Sequence, residues 1–202
     1  VLTRRTFIKS TLVANMALVA PASLALTAVK NEHSEQPLLI FADENSPSAS
    51  LFSKQFSESR FNESQSNINL DIGLHFDTFN AFCKEKPNGW VSGITRDSDF
   101  FVLQQLAVKH GYHTAYSATH TVSNNTLEHR VTSSTKKAPL LAQALGNAGT
   151  KWPTWLADNL ATLQNTTVAN STASSQTQSL SQADDNHVLV SWLLIPSNST
   201  KS

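Results

Sequence analysis

The chain has 202 residues, 40% of them hydrophobic, with 15 Lys and Arg balanced by 15 Asp and Glu, and a single cysteine. That length suits one domain with a real core. One cysteine, Cys83, excludes an intramolecular disulfide, a CxxC redox pair and a Cys-ligated iron–sulfur cluster, and the balanced charge lacks the clustered basic face that nucleic acid requires.

The chain opens Thr3-Arg4-Arg5-Thr6-Phe7-Ile8-Lys9. Arg4, Arg5 and Lys9 form a positive segment with no acidic residue before Glu32, Thr11 to Val19 is mildly apolar, and Ala20-Pro21-Ala22 offers a small-residue cleavage site. The stretch over residues 1–25 resembles the twin-arginine (Tat) export signal of bacteria, with Arg4, Arg5, Phe7 and Lys9 in its pattern. The resemblance implies a folded passenger of the Tat translocase and a periplasmic location. The apolar run is interrupted and shorter than the roughly 20 residues of a membrane span, so no stable membrane insertion is expected after cleavage. Removal of the signal leaves 12 basic residues against 15 acidic ones.

In the mature part, Leu38 to Ala42 reads as a buried strand, followed by Asp43-Glu44-Asn45 and a helix with Ser46 as N-cap and Pro47 at its first position. Ile68 to Leu74 alternates as a second strand, and Asp77 or Thr78 caps a short helix holding Phe79, Phe82 and Cys83. Trp90 to Thr95 is a third strand. Asp97 or Ser98 then caps a helix to His110, which Gly111 ends in a left-handed turn. His113 to Val122 and Thr126 to Thr132 flank Ser123-Asn124-Asn125 as a hairpin. Helices follow at Pro139 to Leu145 and Pro153 to Leu163. Val188 to Ile195 is a near-continuous apolar run, broken only by Ser191, and is expected as a strand covered on both faces.

Residues 164–186 are nearly all Gln, Asn, Ser, Thr and Ala, and are expected as a disordered polar insertion in a single α/β domain spanning 37–196. Three strand–helix repeats argue for a three-layer, mostly parallel sheet, flavodoxin-like or Rossmann-like, with an added β-hairpin.

In such sheets ligands bind beyond the carboxyl ends of the strands, where strand order reverses. An order beginning 2-1-3 would set Asp43 and Asn45 against Thr95, Arg96 and Ser98. Arg96 and a helix N-terminus favour a small carboxylate or phosphate there. The plainer alternative is that Arg96 pairs with Asp43 and the helix is merely capped.

Other chemistry finds little support. Walker A, G-x-G-x-x-G, G-x-S-x-G and HExxH patterns are all absent. His113 and His120, an odd number apart, should face opposite sides of their strand. His120 and His129 meet across the hairpin, and only with His75 in another loop would they make a zinc site, so no metal is expected. No cofactor is indicated. The expected function is a non-catalytic, small-anion-binding or accessory module beside an exported oxidoreductase; the alternative is a small periplasmic hydrolase or transferase using Asp43, Arg96 and His120.

Overall fold

A computed structural model describes residues 37–58, 64–68, 72–164, 168–178 and 188–197. The export signal expected at residues 1–25 lies outside the described residues.

Strand β1 (Leu38–Asp43) is buried along its whole length. It ends in a turn closed by the Ser46 N–H on the Asp43 carbonyl at 3.0 Å. Ser46 Oγ then accepts the Ala49 N–H at 3.2 Å, which caps helix α1 (Pro47–Glu58), with Pro47 at the first helical position. Strand β2 (Ser64–Ile68) and helix α2 (Ile72–Glu85) follow, then β3 (Trp90–Arg96) and α3 (Asp97–Lys109). Gly111 ends that helix at φ +75°, where L side chains are strained and glycine is not.

The second half begins with β4 (Tyr112–Ser123) and β5 (Thr126–Ser133), joined by Asn124 and Asn125 at φ 49° and 58°. Two successive positive-φ residues make the tight hairpin turn whose twist matches the strands, and asparagine tolerates that region. Helix α4 (Lys137–Ala148), a 3-10 turn (Gly149–Lys151), and helices α5 (Trp152–Asp158) and α6 (Leu160–Leu163) lead to β6 (Ser171–Gln178) and β7 (Leu189–Pro196).

The sheet order is β2-β1-β3-β7-β4-β5-β6. Only the β1 pairs with β2 and β3 are parallel; β3–β7, β7–β4, β4–β5 and β5–β6 are antiparallel. The expectation of a mostly parallel flavodoxin-like or Rossmann-like sheet is therefore overturned. The physical reason lies in β7. Its nearly continuous apolar run requires cover on both faces but specifies no direction, and the strand enters antiparallel between β3 and the hairpin.

Three local expectations also change. The second strand lies at Ser64–Ile68, and Ile72 already belongs to α2; a strand at the edge of a sheet can form from polar residues without an apolar pattern. Helix α3 already includes Asp97 and Ser98, the two expected caps, so Arg96 occupies the N-cap. Within the polar stretch 164–186, Ser171–Gln178 is not an unstructured insertion: it pairs with β5 over eight positions as an edge strand.

Two cores flank the sheet. Leu38, Ile40 and Ala42 of β1 join α1, α4, α5 and α6 on one face, and Leu39 and Phe41 join α2 and α3 on the other. The same alternation divides β7: Leu189, Leu193 and Ile195 against Val190, Trp192 and Leu194. Strand β4 changes sides partway, through a bulge between Thr114 and Tyr116 in its pairing with β7. Tyr112 consequently packs with the α2–α3 layer and Tyr116 with the α4–α6 layer. The bulge also overturns the parity argument for the histidines. His113 pairs with Ile195 and His120 with Leu189, two residues of the same face.

Candidate functional site

Because β1 and β3 are parallel neighbours, their last residues, Asp43 and Arg96, emerge side by side. Arg96 Nε donates to Asp43 Oδ2 at 3.3 Å, with the carboxylate side chain 6% exposed and the guanidinium side chain 40% exposed. The other carboxylate oxygen, Oδ1, accepts the Asn45 N–H at 2.9 Å. Asp43 is thus committed at both oxygens. It holds Arg96 through Nε, and the arginine side chain as a whole stays partly exposed.

Arg96 is also the N-cap of α3, in extended geometry (φ −70°, ψ 158°), and makes no side-chain cap bond. Asp99, three residues on, bonds back to the Arg96 N–H, which is half of a capping box. The other half, a side chain on the first-turn N–H groups, is missing because arginine carries no acceptor. Burial pushes the Asp99 carboxyl above its usual range and the charge of Asp43 adds to this, against the opposing pull of Arg96 and of the bonds from Ser98 and the Arg96 N–H.

The five residues expected at this site therefore separate. Asp43 and Arg96 meet. Asn45 and Ser98 lie exposed at the rim, Ser98 with its hydroxyl 3.5 Å from Asp99 Oδ1. Thr95 does not take part: it is fully buried, its hydroxyl accepting the Trp192 indole N–H at 3.0 Å and donating to the Arg96 carbonyl at 3.2 Å. Alternation along β3 turns it away from Ile94 and toward Trp192, into the core. Asp99 was missed because Arg-Asp-Ser-Asp lacks the Ser or Thr that opens a recognisable capping box. The ion pair itself was the plainer alternative for Arg96, and it forms.

The catalytic alternative required Asp43, Arg96 and His120 together. His120 lies two strands from Arg96 along one register line, with Leu189 between them, and its ring is engaged elsewhere. His120 Nδ1 and His129 Nδ1 are 2.6 Å apart, and His120 Nε2 is 2.7 Å from Ser191 Oγ, which lies 3.0 Å from the Tyr116 hydroxyl. Trp152 stacks on His120 at 3.7 Å between ring centroids and meets His129 edge-on. His120, His129, Ser191 and Tyr116 are all buried. Serine, base and second imidazole stand in a row, as a nucleophile needs, but no substrate reaches them.

Burial holds His120 well below the ordinary histidine range, with His129 adding to the effect, and burial lowers His129 to about 4. For the zinc arrangement, His75 lies on α2 with its side chain outside those described, and His120 and His129 are spent on each other. Among the described residues no three His, Cys, Asp or Glu side chains group to hold a metal, and no helix is long and apolar enough to cross a membrane. Comparison of the chain with protein-family models, curated proteins and solved structures finds no match.

Proposed function

We infer that the chain is a non-catalytic, Tat-exported periplasmic module that binds a small anion at the ends of β1 and β3. The observation that carries this reading is the pairing of a held arginine with an uncapped helix start. Arg96 is fixed by Asp43 through Nε, has a partly exposed side chain, and sits at the N-terminus of a thirteen-residue helix without a side-chain cap. Glu44 and Asp97 are exposed nearby and repel multiply charged ligands. A monoanionic carboxylate therefore fits better than a phosphate. Both oxygens of Asp43 are engaged, by Asn45 and by Arg96, which favours a binding role for that carboxylate over turnover.

The test is calorimetric titration of the mature protein with acetate and with inorganic phosphate at low ionic strength. Acetate should bind more tightly than phosphate, and Arg96→Ala should weaken it at least tenfold. Equal affinity in the variant, or no heat from either anion, refutes the reading. Export rests on the signal resemblance alone, and Arg4→Lys with Arg5→Lys should retain the unprocessed chain in the cytoplasm. An exported redox enzyme as partner follows only from that route, and co-purification from periplasm is the check.

A further inference from the structure

The buried imidazole pair is built so that a proton has one place to enter. His120 uses both ring nitrogens, Nδ1 toward His129 and Nε2 toward Ser191. His129 uses Nδ1, while its Nε2 is buried with no hydrogen-bond partner. In the neutral pair the arrangement that strands no N–H is His129 Nδ1–H donating to His120 Nδ1, and His120 Nε2–H donating to Ser191. The orphan Nε2 is then a bare lone pair. The first proton must go there, where it creates a buried cation whose new N–H has no acceptor. A second proton would set two N–H groups against each other across 2.6 Å.

We propose that this pair is an acid-sensitive latch that seats Trp152, and with it α5 and α6, on the β4–β5 hairpin. The uncharged His120 ring is the surface on which Trp152 stacks. A charge on the pair must find water, and the route is through the helical layer above it. That layer is weakest at α5 and α6, which have seven and four residues and are bounded by Gly149 at φ 55° and by Asn159. Helices this short depend on packing for their existence.

The surroundings contain nothing that would hold the charge. On β4 the third titratable group is Tyr116, reached through Ser191 of β7. On β5, Glu128 and Arg130 flank His129 and alternate to the opposite face of the sheet. From the helical layer, Trp152 does not titrate, and Lys137 of α4 has its ammonium on the carbonyls of Thr162 and Gln164. No carboxylate is within reach to stabilise an imidazolium among the described residues.

Hydrogen exchange of the full chain at pH 7.5 and pH 5.0, corrected for intrinsic rates, tests the latch. Residues 149–163 should lose at least tenfold in protection at pH 5.0 while β1 and β3 keep theirs. His129→Gln should shrink that difference, leaving only the part carried by the buried His120. Uniform loss across β1 and β3, unchanged protection, or the same pH response in the variant overturns the proposal. Should the variant fail to fold, imidazole nitrogen NMR of the wild type decides: both rings should stay neutral to below pH 5.5 and protonate only as 149–163 opens. Rings that protonate near pH 6.5 with α5 still docked overturn it.

Discussion

Replacing Gly93 by alanine adds one methyl group at a point of the sheet with no room for it. Gly93 pairs with Phe41 of β1 and Trp192 of β7. A Cβ there would lie 2.8 Å from Trp192 Cζ2 and closer still to the Phe41 carbonyl oxygen. The indole could move only by leaving its stack on Phe100, at 5.6 Å between centroids, and its contact with Phe41 at 6.2 Å. The carbonyl belongs to the β1 ladder and cannot move without breaking pairing. Overpacking of a tight core costs about 1–3 kcal/mol, and a fixed backbone neighbour places this case at the upper end. About 3 kcal/mol in a domain of this size lowers Tm by roughly 6–12 °C. Gly111 is the control, because its φ is +75° with nothing within 4 Å of an added Cβ. Asparagine tolerates that backbone, so Gly111→Asn should be nearly neutral and Gly93→Asn severe. Thermal unfolding followed by circular dichroism reads both. A Gly93→Ala protein within 2 °C of wild type would refute the crowding argument.

Global stability should carry the signature of the histidine pair. The folded state holds His129 at about 4 and the unfolded chain near 6.5, so the unfolded state binds more protons as pH falls through that window. Stability is then full above pH 6.5 and declines toward pH 4, by about 2 kcal/mol at pH 5 from His129 alone. Denaturant unfolding should show a flatter pH profile in His129→Gln. Ser46→Ala removes the α1 cap and should cost about 1 kcal/mol in the same assay without changing fold. Cys83 is buried and pushed up to about 11, with burial as the main cause. Iodoacetamide at pH 8 should therefore leave it unmodified in the native protein and label it fully in denaturant.

How much of this was legible beforehand differs by element. β1, β3, the hairpin and β7 announced themselves through apolar runs and turn residues. Ser46-Pro47 and Gly111 marked helix ends because capping and positive φ each demand a narrow set of side chains. Direction and edge strands left no such trace. β2 (Ser-Gln-Ser-Asn-Ile) and β6 (Ser-Thr-Ala-Ser-Ser-Gln-Thr-Gln) lie at the two edges, where a strand can form without an apolar signature. At the candidate site, Asp43 and Arg96 were foreseeable because any order beginning 2-1-3 brings those two ends together. The loss of Thr95 to Trp192 was not, since the partner lies 97 residues away in sequence. The meeting of His120 and His129 across the hairpin was foreseeable and forms, but its link to Ser191 was hidden by sequence distance and by an unseen bulge that sets which side of β4 the histidine takes.

That bulge acts on the chain as a phase shift. Both halves of β4 pair with β7, but upstream of Ala115 the even-numbered Tyr112 faces the α2–α3 layer, and downstream the even-numbered Tyr116 and Ala118 face the α4–α6 layer. Deleting Ala115 would take out the shift itself: Tyr112, His113, Thr114 and Tyr116 already pair with consecutive β7 residues, Pro196, Ile195, Leu194 and Leu193, so each side chain would keep its face. A deletion farther along β4 would instead turn part of the strand over, taking Tyr116 and His120 out of the α4–α6 core or Tyr112 from its place near Cys83. Ala115 is thus the position in β4 where a residue can be lost without setting two cores in competition for one strand.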